Sequence, residues 1–236
     1  LICTEQKYVC VSRPRRFGKS MAANMLAAYY KRDEDTRALF DKLMISQAQS
    51  YKEHLNQYDV IRINMQQFLS ETHSMEEMLS KICNYLIQDL QEAYEQIRFR
   101  EKTSLVQTMK DVFANTGHPF VILIDEWDCL FREYQQDKDA QKKYLDFLRV
   151  WLKDQDYVGL AYMTGILPIK KYGSHSALNM FIEYSMTDPG DMAQYFGFTE
   201  EEVGELCQEY DMSFEETKAW YDGYGLCTHS RYGDQH

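Results

Sequence analysis

Short apolar runs and longer stripes with helical spacing alternate along the chain. The runs lie at residues 8–11, 58–64, 120–124 and 157–163, and their lengths predict β-strands. Residues 120–124 contain no polar position, which is typical of a strand buried on both faces of a parallel sheet. Because helical stripes separate these strands, the pattern predicts an α/β fold in which helices cover a parallel sheet on both faces.

The helical stripes predict which surfaces face the core. Residues 19–31 are predicted to form a helix, and the polar segment 32–57 is predicted to form short helical pieces over one sheet face. The first helix has apolar positions at Met21, Met25, Leu26 and Tyr29, and the apolar positions expected to cover the sheet in the second segment are Leu39, Phe40, Leu43 and Met44. Two later helices are predicted around residues 105–113, with Gly117 as a C′ glycine, and around residues 144–152.

The longest stripe follows Ser74 and Glu77, whose spacing predicts a capping box, in which the two residues satisfy each other's backbone donors. Its apolar members are Met75, Met78, Leu79, Ile82, Leu86, Leu90 and Tyr94. A partner-binding face is the alternative interpretation. We favour a core face, because surface helices in α/β folds routinely bury stripes of this kind.

Short, capped helices replace the alternating pattern from residue 188 onward. The pairs Thr199–Glu202 and Ser213–Glu216 both have capping-box spacing, whereas residues 227–236 show no periodicity. We therefore expect a core at residues 1–187, a small helical subdomain at 188–226 and a frayed tail at 227–236. The chain also opens almost directly on a strand, so we expect that an N-terminal part is missing.

Charge and cysteine content narrow the function classes. The net charge of −11 argues against a broad nucleic-acid interface, which needs a basic face. No apolar run approaches the roughly 20 residues that span a bilayer, and no secretory signal begins the chain. The six cysteines are scattered, without the spacing of metal ligands. We expect a reduced, cytoplasmic protein without a membrane segment and without direct nucleic-acid contacts from this portion.

Residues 13–20, RPRRFGKS, join the first predicted strand to the first predicted helix, which is the context of a phosphate-binding loop. In such a loop backbone N–H groups face a polyanion, Lys19 adds charge for the terminal phosphates, and the Ser20 hydroxyl ligates Mg²⁺. The general pattern has glycine where this chain has Arg13, so the loop entry must follow a different backbone path. A basic loop that ends in GKS by chance is the alternative interpretation.

Asp125 and Glu126 directly follow the most apolar run, as in a Walker B segment. Asp125 is expected to hold Mg²⁺ together with Ser20, directly or through water. Glu126 is expected to orient or deprotonate the attacking water beside the γ-phosphate. Two acids that simply begin a solvated loop are the alternative. The upstream loop and the intervening sheet pattern favour the functional interpretation.

Polar residues after the later strands have two interpretations each. Thr164 either senses the γ-phosphate between the two motifs or caps a loop. Asp128 either orients a neighbouring group or is solvated at the surface. Lys170 and Lys171 either reach phosphate or form a solvated charge pair.

Five segments in order carry a resemblance to a known family. They are RPRRFGKS at 13–20, ILIDEWD at 122–128, TGILPI at 164–169 with SALNMF at 176–181, GFTEEEV at 197–203 and WYDGY at 220–224. Together they resemble the AAA-ATPase-like family of bacterial proteins. In that family the loop reads RPRRFGK[ST], so Arg13 in place of glycine is the family's own form.

The resemblance implies a three-layer P-loop NTPase fold with a parallel sheet ordered 5-1-4-3-2. It implies that the chain binds ATP with Mg²⁺ and hydrolyses it, with Lys19 and Glu126 as catalytic residues and with Ser20 and Asp125 at the metal. The residues assigned to nucleotide binding are Arg13, Pro14, Arg15, Arg16, Phe17, Gly18, Lys19, Ser20, Met21 and Thr164.

Other functions remain open at this point. Members of the family often continue into a nuclease-like domain, but the sequence contains no nuclease motif, so nuclease activity is not assigned. A nucleotide-dependent switch or scaffold with little turnover, serving a missing domain or partner, is the main alternative. A nucleic-acid-processing module with its catalytic part elsewhere is the second, and self-association is open.

Overall fold

A parallel sheet forms the centre of the computed structural model, which describes residues 1–2, 6–169 and 178–221. Its strands are β1 (Tyr8–Ser12), β2 (Asp59–Asn64), β3 (Phe120–Asp125), β4 (Val158–Gly165) and β5 (Ile182–Tyr184). Every neighbouring pair is parallel. The order across the sheet is β2-β3-β4-β1-β5, which is 5-1-4-3-2 when read from the opposite edge. The predicted α/β fold with a parallel sheet is confirmed.

Helices connect the strands and follow the last of them. In chain order they are α1 (Lys19–Tyr30), α2 (Arg37–Phe40), α3 (Tyr51–His54), α4 (Met65–Ser70), α5 (Met75–Ala93), α6 (Leu105–Thr116), α7 (Cys129–Glu133), α8 (Lys138–Leu152), α9 (Glu200–Glu209) and α10 (Phe214–Tyr221). Two 3₁₀ segments lie at Met44–Gln47 and Gly190–Tyr195. No helix in the described ranges is long and apolar enough to cross a membrane.

Helices α1 to α8 divide into two layers, one on each face of the sheet. Side chains of α1, α2 and α3 pack with Val9, Val11 and Tyr162 on one face. The larger layer, built from α4 to α8, packs on the other face around Ile122, Ile124 and neighbouring strand residues. Phe120 to Ile124 are all buried, as expected for a strand covered on both faces. The sheet and its two helical layers together form three layers.

Large apolar side chains are exposed on α1 and in the segment 32–57. Met21 and Met25 on α1 are 68% and 52% exposed, whereas Ala23 and Tyr29 are buried. The small Ala23 lets α1 lie close to the sheet, so the larger methionines fall on its outer face. In the segment 32–57 only Phe40 of the four apolar side chains assigned to the sheet is buried, while Leu39, Leu43 and Met44 are exposed. The predicted packing of those three side chains on the sheet was wrong.

The long stripe of α5 is a core face, as we favoured. Met75, Met78, Ile82 and Leu90 are buried, and the remaining members of the stripe pack against the same cluster. The predicted capping box is only half formed. The Ser74 hydroxyl accepts from the Glu77 N–H at 3.1 Å, but the Glu77 carboxylate accepts from the N–H of His73 rather than from that of Ser74.

The helix ends elsewhere follow the predicted residues more closely. At the start of α9 the reciprocal capping box of Thr199 and Glu202 is complete. Gly117 ends α6 with a φ of 69°, a left-handed conformation that favours glycine. At α10 the Ser213 hydroxyl accepts from the Glu216 N–H at 3.3 Å.

The proposed domain boundaries stay predictions. Residues 227–236, the expected frayed tail, lie outside the described residues, as do Lys170 and Lys171. Phe196 lies beyond the predicted boundary at residue 188, yet it packs with β1 and α1 in the core. The segment between β5 and α9 is therefore in contact with the sheet.

Candidate functional site

The loop 13–20 leaves the carboxyl end of β1 and enters α1 through two left-handed residues. Gly18 has a φ of 72° and immediately precedes Lys19, the first residue of the helix. Arg16 has a φ of 70°, which is uncommon for a residue with a Cβ atom. The first N–H groups of a helix have no acceptor within it, and Gly18 and Ser20 are exposed. The loop thus presents polar backbone and the positive end of the helix dipole at the surface.

Arg13 lies beneath the loop rather than on it. Its side chain is fully buried, and its Nη1 donates to the carbonyl of Tyr184 in β5 at 2.8 Å and to that of Ser12 at 3.3 Å. The guanidinium lies 6.0 Å from the centre of the Phe196 ring, and its backbone N–H donates to the Gly165 carbonyl at 3.1 Å. Burial lowers the pKa of this guanidinium. The structure gives Arg13 contacts that support the loop.

Lys19 is buried at the start of α1, and its ammonium turns back into the loop. Its Nζ donates to the Pro14 carbonyl at 2.7 Å. Burial lowers the pKa of the ammonium, and the nearby carboxylates of Glu126 and Asp125 act in the opposite direction. The lysine is therefore bonded to the loop and lies within electrostatic range of Asp125 and Glu126, although more than one hundred residues separate them in sequence.

Asp125 is held at the carboxyl end of β3 by a neighbouring strand. The parallel register pairs Ile124 of β3 with Met163 of β4. The next residue of β4, Thr164, therefore lies beside Asp125, and β4 itself lies between β3 and β1. The Thr164 hydroxyl donates to Asp125 Oδ1, which also accepts from the Glu126 N–H at 3.1 Å. Among the described residues, no hydrogen bond to the other oxygen, Oδ2, is seen. Because Thr164 is buried within β4, it does not cap a loop.

Glu126 forms an ion pair that the sequence did not indicate. Its Oε2 accepts from a guanidinium N–H of Arg132, on α7. Its backbone φ of 55° lies in the left-handed region, which is uncommon for glutamate. The conformation at residue 126 and the ion pair together determine where the carboxylate lies.

Asp128 fixes the chain between β3 and β4. It is fully buried, and its Oδ2 accepts from the N–H groups of Ile166 and Leu167 at 3.1 and 2.9 Å. The same oxygen lies 3.5 Å from Arg132 Nε. Of its two sequence interpretations, solvation at the surface is wrong, and Asp128 does orient its neighbours.

The remaining side chains assigned to nucleotide binding lie mostly on the exposed side of the loop, which we call the loop mouth. Arg15, Arg16, Ser20 and Met21 are exposed, and Phe17 is partly buried near Gly197, where an added Cβ would lie 3.6 Å from the Phe17 ring. In the described ranges, no group of three or more His, Cys, Asp and Glu side chains could hold a metal ion by itself. A metal here would need ligands from a bound molecule and from water as well.

A comparison with protein families shows the family to which this chain belongs. The profile of the AAA-ATPase-like family, described as a predicted AAA-ATPase, matches residues 1–174, which include the loop, β3 with its two acids, and β4. The chain belongs to the AAA-ATPase-like family. The match covers every element that contributes to the site except β5 and the residues after it.

A longer protein is also similar to this AAA-ATPase-like chain. It is described as an uncharacterized protein in the vnfD 5′ region of Azotobacter chroococcum mcd 1, and it is 25% identical over 221 residues. The alignment covers 91% of this chain and 41% of the relative, so the chain spans about two fifths of the relative's length.

Sequence reasoning missed two supports of the AAA-ATPase-like site. One is Arg132, which no motif identifies. The other is Glu183 in β5, whose Oε1 accepts from the Ser12 hydroxyl at 2.7 Å and from the Ile169 N–H at 2.8 Å. Both residues act through contacts between segments that are distant in sequence. For Glu183, the only signal in the sequence was an acidic residue within a short strand.

Proposed function

We propose that this chain binds a nucleoside triphosphate, ATP, with Mg²⁺ at the loop 13–20 and hydrolyses it to ADP and phosphate. One observation carries the proposal: Lys19, the first residue of α1 after the loop, is within electrostatic range of Asp125 and Glu126 at the carboxyl edge of the sheet. Open parallel sheets bind ligands at this edge. Membership in the AAA-ATPase-like family supports the same function.

The backbone of the loop and its basic residues have distinct parts in the proposal. The backbone N–H groups at the start of α1 bind phosphate oxygens, because they point outward and carry the positive end of the helix dipole. Lys19 leaves the Pro14 carbonyl and pairs with the terminal phosphates. Arg15 and Arg16, exposed at the loop mouth, neutralise further charge. Arg13 contributes by supporting the backbone.

The chain also offers suitable ligands for Mg²⁺. Asp125 has one oxygen fixed by Thr164 and the Glu126 N–H, and Ser20 has an exposed hydroxyl in the first turn of α1. One carboxylate and one hydroxyl fit the protein's share of a Mg²⁺ site, since this ion keeps several waters and takes substrate phosphates as ligands. Bound there, Mg²⁺ would neutralise the charge that develops on the phosphates.

Glu126 positions the attacking water in this proposal, and Thr164 senses the γ-phosphate through its bond to Asp125. Positioning and electrostatic stabilisation supply most of the catalysis in phosphoryl transfer, so a carboxylate beside the terminal phosphate is the expected catalytic group. In the sheet, Thr164 lies between β1, which leads into the loop, and Asp125. A residue at this place can respond when phosphate binds to the loop.

Two substitutions test the proposal directly. Lys19→Ala should abolish ATP binding, and Glu126→Gln should preserve binding while lowering turnover by about 100-fold or more, the usual contribution of a positioned acid–base group. Equilibrium dialysis with labelled ATP measures binding, and phosphate release measures turnover. Lys110→Ala and Glu133→Gln serve as matched controls, because both residues are exposed. Wild-type turnover in both site variants would contradict the assignment.

Contacts of the loop favour a second candidate, a nucleotide-dependent switch with little turnover. Arg13 contacts Tyr184 and Phe196, and Phe17 lies near Gly197. Nucleotide binding at the loop would therefore be felt by the segment that leads into α9 and α10. Turnover distinguishes the two candidates: a switch retains bound ATP over many minutes, whereas an ATPase releases phosphate continuously. A cytoplasmic location and the service of a further domain or partner stay predictions.

A further inference from the structure

Arg132 is the one cation that contacts the proposed catalytic carboxylate in the described part of the chain. It lies on α7, a five-residue helix that begins directly after Asp128. Its side chain is 20% exposed, and that of Glu126 is 26% exposed. The pair is thus shielded from most of the solvent, where an ion pair has more effect than on an open surface.

The guanidinium is itself held in place by a rigid part of the fold. Arg132 Nε lies 3.5 Å from Asp128 Oδ2, and Nη2 lies 3.5 Å from Gln66 Oε1 on α4. Asp128 is fully buried and bonded to the N–H groups of Ile166 and Leu167. Arg132 therefore lies close to an anchored carboxylate and to a second helix while it pairs with Glu126, so it links the Glu126 carboxylate to a buried part of the fold.

The ion pair uses only one of the two Glu126 oxygens. Oε2 accepts from Arg132, and within the described residues no hydrogen bond to Oε1 is seen. The same carboxylate is within electrostatic range of the Lys19 ammonium, on the side of the sheet from which the loop leaves β1. When a cation holds one carboxylate oxygen in place, the other oxygen can accept a hydrogen bond from a water molecule and hold that water in a fixed direction.

We propose that Arg132 is a positioning residue, which holds Glu126 through Oε2 so that Oε1 faces the attacking water. This inference rests on the proposed function. It assigns Arg132 no contact with the nucleotide. Its loss should therefore lower kcat without weakening ATP binding, since Lys19 and the loop bind the phosphates.

Substitutions of Arg132 in the full chain test this role. Arg132→Ala should lower kcat about 10- to 100-fold, as expected when a catalytic group is displaced by about 1 Å, while the Kd for ATP·Mg²⁺ stays within about twofold of wild type. Arg132→Lys should recover part of the loss, because it restores a cation without the guanidinium fork. Arg149→Ala is the matched control, since Arg149 pairs with Asp146 at 2.9 Å near the end of α8, away from the carboxyl edge of the sheet.

A double substitution separates positioning from direct catalysis. If Arg132 acts only through Glu126, adding Arg132→Ala to Glu126→Gln should cause no further loss in single-turnover rate. A further loss of tenfold would mean that Arg132 acts on the phosphate itself, and it would overturn the inference. So would an unchanged or raised kcat in Arg132→Ala, the latter because it would show that the ion pair restrains Glu126.

The outcomes for the two proposals differ. If wild-type protein hydrolyses ATP and Glu126→Gln does not, but Arg132→Ala keeps wild-type kcat, only the positioning role fails. If wild-type protein does not hydrolyse ATP, both fail. Should Arg132→Ala prove unfolded by its melting curve, Arg132→Lys and Arg132→Gln decide: both should bind ATP normally, with the lysine variant the faster of the two.

Discussion

Arg13 has a different role from the one that its place in the loop sequence suggests. The general phosphate loop has glycine at this place, and a basic residue there suggests one more cation for phosphate. Its guanidinium instead lies under the loop, bonded to the Tyr184 carbonyl and close to the Phe196 ring. Two of its nitrogens, Nε and Nη2, are buried without a hydrogen-bond partner in the described residues. Volume and loop support, rather than charge, are therefore the main contributions that we expect from this side chain.

Restoring the general pattern with Arg13→Gly should harm the protein. The substitution removes a fully buried side chain and its bond to β5, so we expect a loss of about 2–4 kcal/mol in the free energy of unfolding, in the range of large-to-small core substitutions. Chemical denaturation measures this loss. ATP should bind no more tightly than to wild type.

Arg13→Met provides the matched comparison. It keeps much of the volume and removes the buried charge together with its unpaired nitrogens, which is often close to neutral for stability. We expect it to retain most of the stability that Arg13→Gly loses. Tighter ATP binding by the glycine variant, or equal destabilisation by both, would contradict the supporting role.

At the scale of elements, close contact between β4 and the turn after β3 shapes the site. Gly165 ends β4, and a Cβ atom added there would lie 2.6 Å from Trp127 Nε1 and 2.7 Å from Asp128 Oδ1. Trp127 is buried in the core, and its backbone N–H donates to the Thr164 carbonyl at 3.0 Å. The absence of a side chain at residue 165 is what allows the strand end and the turn to meet.

Gly165→Ala should therefore disturb both stability and turnover. Because neither the buried Trp127 nor the anchored Asp128 can easily move, we expect a loss of about 1–3 kcal/mol from overpacking, together with a lower kcat as Glu126 shifts. Gly204→Ala is the control: an added Cβ in α9 meets nothing within 4 Å, and the higher helix propensity of alanine should add about 0.5–1 kcal/mol. Thermal denaturation compares the two, and equal stabilisation by both would refute the packing argument.

The elements also show what the sequence could predict. β3 and β4 were predicted because a doubly buried strand leaves a continuous apolar run. The loop 13–20 and the acidic pair at 125–126 were predicted because the residues of each motif are adjacent in sequence. β5 and α7 contain three and five residues, too few for any period to register. Arg132 and Glu183 act across chain segments that no local pattern connects, as in the bond of Ser12 to Glu183, 171 residues away.

At the scale of the whole molecule, the net charge of the chain and the local charge at the candidate site have opposite signs. The chain carries a net charge of −11, yet the mouth of the loop combines Arg15, Arg16 and the positive end of α1. A basic site on a molecule with a net negative charge favours a small polyanion over an extended one, since the net charge repels a long nucleic acid. The overall charge thus supports a nucleotide as the ligand.

Binding to the folded state alone should raise the stability of the whole molecule. At one hundred times its Kd, a nucleotide adds about 2.7 kcal/mol by mass action, and for a chain of this size about 1 kcal/mol corresponds to 2–4 °C. We therefore expect ATP·Mg²⁺ to raise Tm by about 5–10 °C in a thermal-shift titration. ADP and GTP, titrated in parallel, report the contributions of the γ-phosphate and the base. In Lys19→Ala the shift should vanish because phosphate binding is lost, whereas Lys110→Ala should retain it. A shift that persists in Lys19→Ala would place the nucleotide elsewhere, and no shift with any nucleotide would remove the basis for an ATPase.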